Sequence, residues 1–257
     1  MRALTTLFLL ALSTPALAVV PMTDVTVTSN GTSGSLEITG TAERDAIIVR
    51  ALPDGSWVVS NTIDGDDYYW TGPAHAGVYI DGLAGDDILW VAVRADYATI
   101  YGDDGDDSVL CASKDGCLAW LGSGDDTYQP DFWFDEPTGI HVVFGEGGAD
   151  DIFGDDGDDV VFGGSGPDNI YGYGGDDDLR GESGSDTIYG GDGDDHIEGG
   201  EGDDWLYGGR NADRIWGNEG DDQIYGNEGG DTLWGNGGLD NCYGGSGNDT
   251  LKFSCWN

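Results

Sequence analysis

From Gly145 to Lys252 one apolar side chain recurs every nine residues: Ile152, Val161, Ile170, Leu179, Ile188, Ile197, Leu206, Ile215, Ile224, Leu233, Cys242 and Leu251. That spacing suits neither an amphipathic helix nor a long alternating strand. Each apolar residue instead sits at the centre of a three-residue segment, behind six residues rich in glycine and aspartate. Three extended residues place the middle side chain inward and its neighbours outward, and the six before them form a tight turn. Two nonapeptides then close one 18-residue coil of two strands and two turns. The pattern predicts an all-β fold, a right-handed parallel β-roll or β-helix solenoid.

The block holds twelve consecutive nonapeptides without insertion or deletion, the first starting at Gly145 and the last at Gly244. Glycine fills the first position throughout and the fourth in all but one, where Asn211 stands. Asparagine tolerates the left-handed backbone that such turns need. At the second position Glu146, Asp155, Tyr173, Glu182, Asn218, Asn227 and Asn236 replace glycine, which raises strain without removing an acid. The sixth position is aspartate in every repeat. Stacking collects these aspartates in two edge columns. One is Asp150, Asp168, Asp186, Asp204, Asp222 and Asp240; the other is Asp159, Asp177, Asp195, Asp213, Asp231 and Asp249. Carboxylates brought so close repel unless a cation lies between them. Six or more oxygen ligands in a flexible turn suit Ca²⁺ better than Zn²⁺ or Mg²⁺.

Segments such as GGDGDDHIE, GGEGDDWLY and GGSGNDTLK resemble the unit G-G-x-G-x-D-x-U-x of the RTX (repeats-in-toxin) family. The resemblance implies calcium ions that each bridge two successive turns on one edge, through an aspartate and backbone carbonyls from each. Six aspartates per column leave about five gaps, hence about ten ions in the regular block. The fifth-position acids Asp158, Asp176, Asp194, Asp203 and Asp221 read as tuning the local potential.

Upstream the period loosens. Residues 82–87, 102–107 and 122–126 are repeat-like, about one coil apart, which makes Asp87, Asp107 and Asp126 further candidate ligands. The segment from Gly40 is an eroded repeat with Asp45 in the metal position. Apolar runs at 35–39, 46–49, 57–60 and 68–70 predict strands. The domain reading is a signal peptide at 1–18, an irregular β cap at 19–80, degenerate coils at 81–144, the regular roll at 145–252 and a C-terminal cap at 253–257.

Charge excludes several function classes. Of 257 residues 50 are Asp or Glu and 9 are Lys or Arg, a formal charge of −41, so nucleic acid and anionic membrane are poor partners. Apolar residues still make up 38%, enough for a fold once the acid is neutralised. The N-terminus combines Arg2, the apolar stretch Leu4–Leu12 and small residues at Ala16 and Ala18. This predicts a secretory signal peptide cleaved after Ala18, and secretion; the run is too short for a transmembrane segment. Four cysteines in an oxidising compartment suggest two disulfides, and the local pairs Cys111–Cys117 and Cys242–Cys255 close the shortest loops of three connectivities.

No H-E-x-x-H or G-x-S-x-G motif is present, and His75, His141 and His196 lie far apart in the chain, each reading as a surface or loop residue. The chain therefore reads as a non-enzyme with a structural or interaction role. An alternative rests on the ninth-position residues of one face, Phe153, Tyr171, Tyr189, Tyr207, Tyr225 and Tyr243. Such a ladder could bind polysaccharide or a cell surface, making the chain a calcium-dependent adhesin. The opposite face carries Phe162, Arg180, Glu198, Trp216, Trp234 and Lys252, a less regular series.

Overall fold

The structure is a computed structural model. It describes residues 20–21, 26–30, 35–51, 56–61, 68–73, 77–92, 97–113, 116–130, 139–252 and 254–256. The signal-peptide reading at 1–18, His75, and Phe253 and Asn257 of the C-terminal cap lie outside the described residues.

Among the described residues the strands form two 13-stranded sheets that face each other. From Gly77 on, strands alternate between them, so each pairs in parallel with the strand one coil further on: Val161 with Leu179, and Ile152 with Ile170. This is the expected β-roll. The core between the sheets is a double file of side chains, and in the regular block each strand sends one residue inward. Ile170, Leu179, Ile188, Ile197, Leu206, Ile215, Ile224 and Leu233 are all fully buried.

Most strands of the regular block run longer than three residues, Asp151–Phe153 and Thr250–Lys252 being the exceptions. Val160–Ser165 continues through the first half of the turn, where Gly164 pairs with Glu182 and Ser165 with Ser183. Turn and strand thus form one ladder, and the fourth-position glycine that ends it takes a positive φ (125° at Gly166). Six of the second-position substitutes accept the same left-handed backbone: Glu146, Tyr173, Glu182, Asn218, Asn227 and Asn236 have φ between 72° and 78°. For the two glutamates and the tyrosine this costs about 1–2 kcal/mol each.

The parallel stack begins well before the regular repeats. Ser35–Thr39 pairs in parallel with Gly77–Asp81, and Ala46–Ala51 with Ile88–Ala92. Beyond them each sheet is extended by antiparallel strands. Thr26–Asn30 and then Val20–Pro21 extend one sheet; Ser56–Asn61 and then Tyr68–Pro73 extend the other. These early coils are wider. Their strands send two residues inward, such as Leu36 with Ile38, Ile47 with Val49, Val78 with Ile80 and Leu89 with Val91. Each wide coil therefore buries about twice the apolar side chains of a regular one, at about 1.5–3 kcal/mol apiece.

Both local disulfides are present. Cys111–Cys117 links the end of a strand in one sheet to the start of the next strand in the other. Cys242, fully buried in the core file, is bonded to Cys255. The short strand Cys255–Trp256 pairs with Asp240 and Asn241 and continues its sheet by one strand.

Candidate metal columns

The sixth-position aspartates stand in two buried columns. In the first, each backbone N–H donates to Oδ1 of the aspartate one coil on. The chain of bonds runs Asp150 to Asp168 (2.9 Å), Asp168 to Asp186 (2.9 Å), Asp186 to Asp204 (2.9 Å), Asp204 to Asp222 (3.0 Å) and Asp222 to Asp240 (3.1 Å). The same column extends upstream through Asp45, Asp87, Asp107 and Asp126, although the separations there are 42, 20, 19 and 24 residues instead of 18. The 42-residue step spans the antiparallel strands 56–61 and 68–73. In the second column the bonds run from Asp159 to Asp177, then to Asp195, Asp213, Asp231 and Asp249. The structure thus brings all fifteen sequence-predicted aspartates into the two columns.

One carboxylate oxygen of each is engaged in this way; the other generally is not. Oδ2 of Asp87, Asp107, Asp126, Asp150, Asp168, Asp186, Asp204, Asp222 and Asp240 in the first column is buried without a hydrogen-bond partner. So is Oδ2 of Asp177, Asp195, Asp213 and Asp231 in the second. A buried, unpaired carboxylate oxygen is expensive, and a row of them demands a compensating charge. First-position glycine makes room for it. A Cβ on Gly163 would collide with Asp168 Oδ2 and lie 2.9 Å from the Gly181 carbonyl oxygen. Carboxylate and carbonyl oxygens therefore converge on one small space in each turn, a donor set of hard oxygens suited to Ca²⁺.

Burial, partly offset by the backbone hydrogen bond, pushes these carboxyls far above the ordinary aspartate range. Asp177, Asp204 and Asp213 rise to about 8, Asp87, Asp107, Asp126 and Asp168 to about 7, and Asp150, Asp186, Asp195 and Asp222 to about 6. The like-charged neighbour one coil away adds to the rise at Asp168, Asp177, Asp204 and Asp213. Two members differ. Asp45 Oδ2 accepts the Thr41 N–H, and Asp159 Oδ2 accepts the Asp155 N–H, so neither leaves that oxygen bare.

The fifth-position acids have a definite partner that the repeat pattern did not disclose. Asp158 Oδ1 accepts the N–H of Asp176, Asp176 that of Asp194, and Asp203 that of Asp221. These bonds point along the chain in the opposite sense to those of the buried columns.

The tyrosine ladder stacks as one file. Centroids from Phe153 through Tyr171, Tyr189, Tyr207 and Tyr225 to Tyr243 are 4.7–5.1 Å apart, with rings within 12° of parallel. Ring faces therefore cover one another, and the solvent meets ring edges and hydroxyls. The opposite sheet is more ordered than its sequence suggested. Tyr101, Trp120, Phe144 and Phe162 stack at 4.6–5.4 Å, Arg180 lies over Phe162, and Trp216 stacks on Trp234 at 4.2 Å beneath Lys252.

His196 is half-exposed beside Asp178 and Glu198, as an outward strand position requires. His141 corrects its sequence reading as a surface or loop residue: it is 3% exposed. It stands 18 residues before Asp159, at the register position of a column aspartate, and its N–H donates to Asp159 Oδ1. The nonapeptide pattern first becomes regular at Gly145, so nothing in the spacing marked it.

A model of four RTX calcium-binding nonapeptide repeats matches residues 142–161, 153–188, 180–215, 189–224 and 216–251. No curated protein matches the chain. The matched segments coincide with the part of the fold where both columns run at 18-residue spacing. Residues 142–251 therefore carry RTX calcium-binding nonapeptide repeats, and this part of the chain is folded as a β-roll.

Proposed function

We propose that the chain is an exported protein whose roll folds around calcium held between successive turns of the two aspartate columns, and that its role outside the cytoplasm is structural or interactive rather than catalytic. The observation that carries this reading is the thirteen bare, buried Oδ2 atoms, nine in one column and four in the other. Eight intervals lie between the nine, and Asp249 closes a fourth interval in the second column. The reading is thus about twelve ions, with Asp87, Asp107 and Asp126 taking part. The bound ion supplies positive charge to carboxylates that burial would otherwise force to protonate. Equilibrium dialysis of the full chain against ⁴⁵Ca²⁺ tests the number: about twelve ions supports both columns, whereas one or two would exclude them.

Export rests on the signal-like N-terminus, and it gives calcium its timing. A calcium-poor cytosol leaves the repeats unneutralised, and the extracellular level fills them. Secretion with cleavage after Ala18 is tested by mass spectrometry of the protein in the medium.

The raised carboxyl groups give the pH dependence a definite sign. Without calcium the folded state holds protons more tightly than the unfolded chain, whose aspartates titrate near 4. Stability of the calcium-free roll is therefore present below about pH 4 and lost as pH rises through the folded values of about 6–8. Calcium binding needs the carboxylate and strengthens over the same interval. Circular dichroism in chelator should show more β structure at pH 5 than at pH 8, while calcium affinity changes in the opposite direction. Equal chelator spectra at the two pH values would contradict the desolvation argument.

A second reading, a calcium-dependent adhesin for polysaccharide or cell surfaces, draws on Trp205, Tyr189 and Tyr243. They are 48%, 37% and 47% exposed on the ladder face. Because the tyrosines stack on each other, the hydroxyl row and Trp205 would do the binding. Replacing Tyr189, Tyr207 and Tyr225 together by Phe keeps the stack and removes three hydroxyls. Loss of glycan binding with calcium stoichiometry unchanged supports this reading; absence of glycan binding by the unaltered chain excludes it.

A further inference from the structure

Among the described residues the start of the second column is built differently from the other turns. His141 holds the aspartate position in register, with Val142 and Val143 pairing with Val160 and Val161 beside it. Its Nε2 faces Asp155 Oδ2 at 3.1 Å, and its Nδ1 is hydrogen-bonded to the Tyr128 hydroxyl. Tyr128 is fully buried and Asp155 is 1% exposed. Asp155 is also the one second-position substitute that avoids a positive φ. Its Oδ1 accepts the Gly157 N–H, which fixes the carboxylate towards the imidazole. One donor atom each from His141, Asp155 and Asp159 lie within 4.8 Å of one another.

We propose that His141, Asp155 and Asp159 bind one nitrogen-preferring divalent cation, Zn²⁺ above all, at the head of the second aspartate column, in a donor set that differs from the all-oxygen calcium positions further along it. Two buried carboxylates beside one imidazole leave excess negative charge in a dry environment, which a cation removes. Imidazole nitrogen selects zinc and its neighbours in the first transition row, whereas calcium takes oxygen. The 3.1 Å between Nε2 and Oδ2 suits a shared ion as well as a hydrogen bond. Two donors each about 2.0–2.1 Å from a tetrahedral ion lie roughly 3.3 Å apart. Tyr128 completes the arrangement as a positioning residue. With Nε2 on the ion, the ring carries its proton on Nδ1 and donates it to the phenol, the second-shell bond that orients metal-bound histidines.

The test uses the full chain saturated with calcium and titrated with Co²⁺ as a visible probe. One equivalent should bind with the d–d absorption of a mixed nitrogen and oxygen site, and one equivalent of Zn²⁺ should displace it. His141→Asn should lose that equivalent while the calcium count stays unchanged, and His75→Asn and His196→Asn should keep it. Tyr128→Phe preserves the buried ring and should weaken Co²⁺ binding about 10–100-fold. Asp155→Asn repeats the test should His141→Asn fail to fold. No Co²⁺ absorption in the calcium-saturated chain would overturn the proposal, as would absorption undiminished in both His141→Asn and Asp155→Asn. The cluster would then be a hydrogen-bonded end to the column and nothing more.

Discussion

Chelation of calcium should unfold residues 139–252 and leave much of residues 35–130 folded. The difference follows from the two kinds of coil. A regular coil buries two apolar side chains, one per strand, among glycine-rich turns whose ordering is entropically costly. The wide coils bury about twice as many, carry the Cys111–Cys117 bond and continue into antiparallel strands at one end. Calcium reverses the balance in the regular block. A site occupied at 100 times its dissociation constant adds about 2.7 kcal/mol, so even a few filled sites rival the whole stability of an ordinary domain, about 5–15 kcal/mol. Trp216 and Trp234, stacked at 4.2 Å, give a local optical signal in the calcium-dependent half. Their exciton couplet should vanish in chelator and return steeply with calcium. Hydrogen exchange should show the wide coils protected throughout. Uniform protection of both halves in chelator would contradict this division.

Asp204→Ala should remove more than one ion. Asp204 accepts the Asp186 N–H and donates to Asp222, so its carboxylate borders the turn on either side. Substitution removes a bare Oδ2 from two neighbouring intervals and leaves the Asp186 N–H unpaired in a buried place. The calcium count should fall by two. With each site contributing up to about 2.7 kcal/mol at 100-fold saturation, the roll should need several-fold more calcium to fold. Asp203→Ala, one residue away, removes an exposed acceptor for Asp221 and should leave the count unchanged. A count that falls equally in the two variants would mean that the ions sit on the exposed acids.

The regular roll was legible because glycine, aspartate and one apolar residue repeat at a fixed spacing, and each has a separate physical reason to recur. Strand 35–39 and residues 46–49 of strand 46–51 were legible from a different signal, alternating apolar residues. Their parallel pairing was not, because the 42 residues from Asp45 to Asp87 hold inserted antiparallel strands that hide the period. The two senses of hydrogen bonding by fifth- and sixth-position acids were also hidden, since both positions read simply as acidic. Tyr101, Trp120, Phe144 and Phe162 form a stack that irregular spacing concealed until the register was known. His141 was missed because a different residue type occupies a position that pattern reading reserves for aspartate.

Long-wavelength anomalous diffraction from crystals of the calcium-loaded chain would locate the ions directly. Two rows of peaks are expected, one beside the bare Oδ2 atoms from Asp87 to Asp240 and the other beside those from Asp177 to Asp231, each row spaced at the strand separation of roughly 4.8 Å. Peaks confined to the exposed fifth-position acids, or columns without peaks in a folded, calcium-saturated roll, would contradict calcium as the charge that holds the turns together.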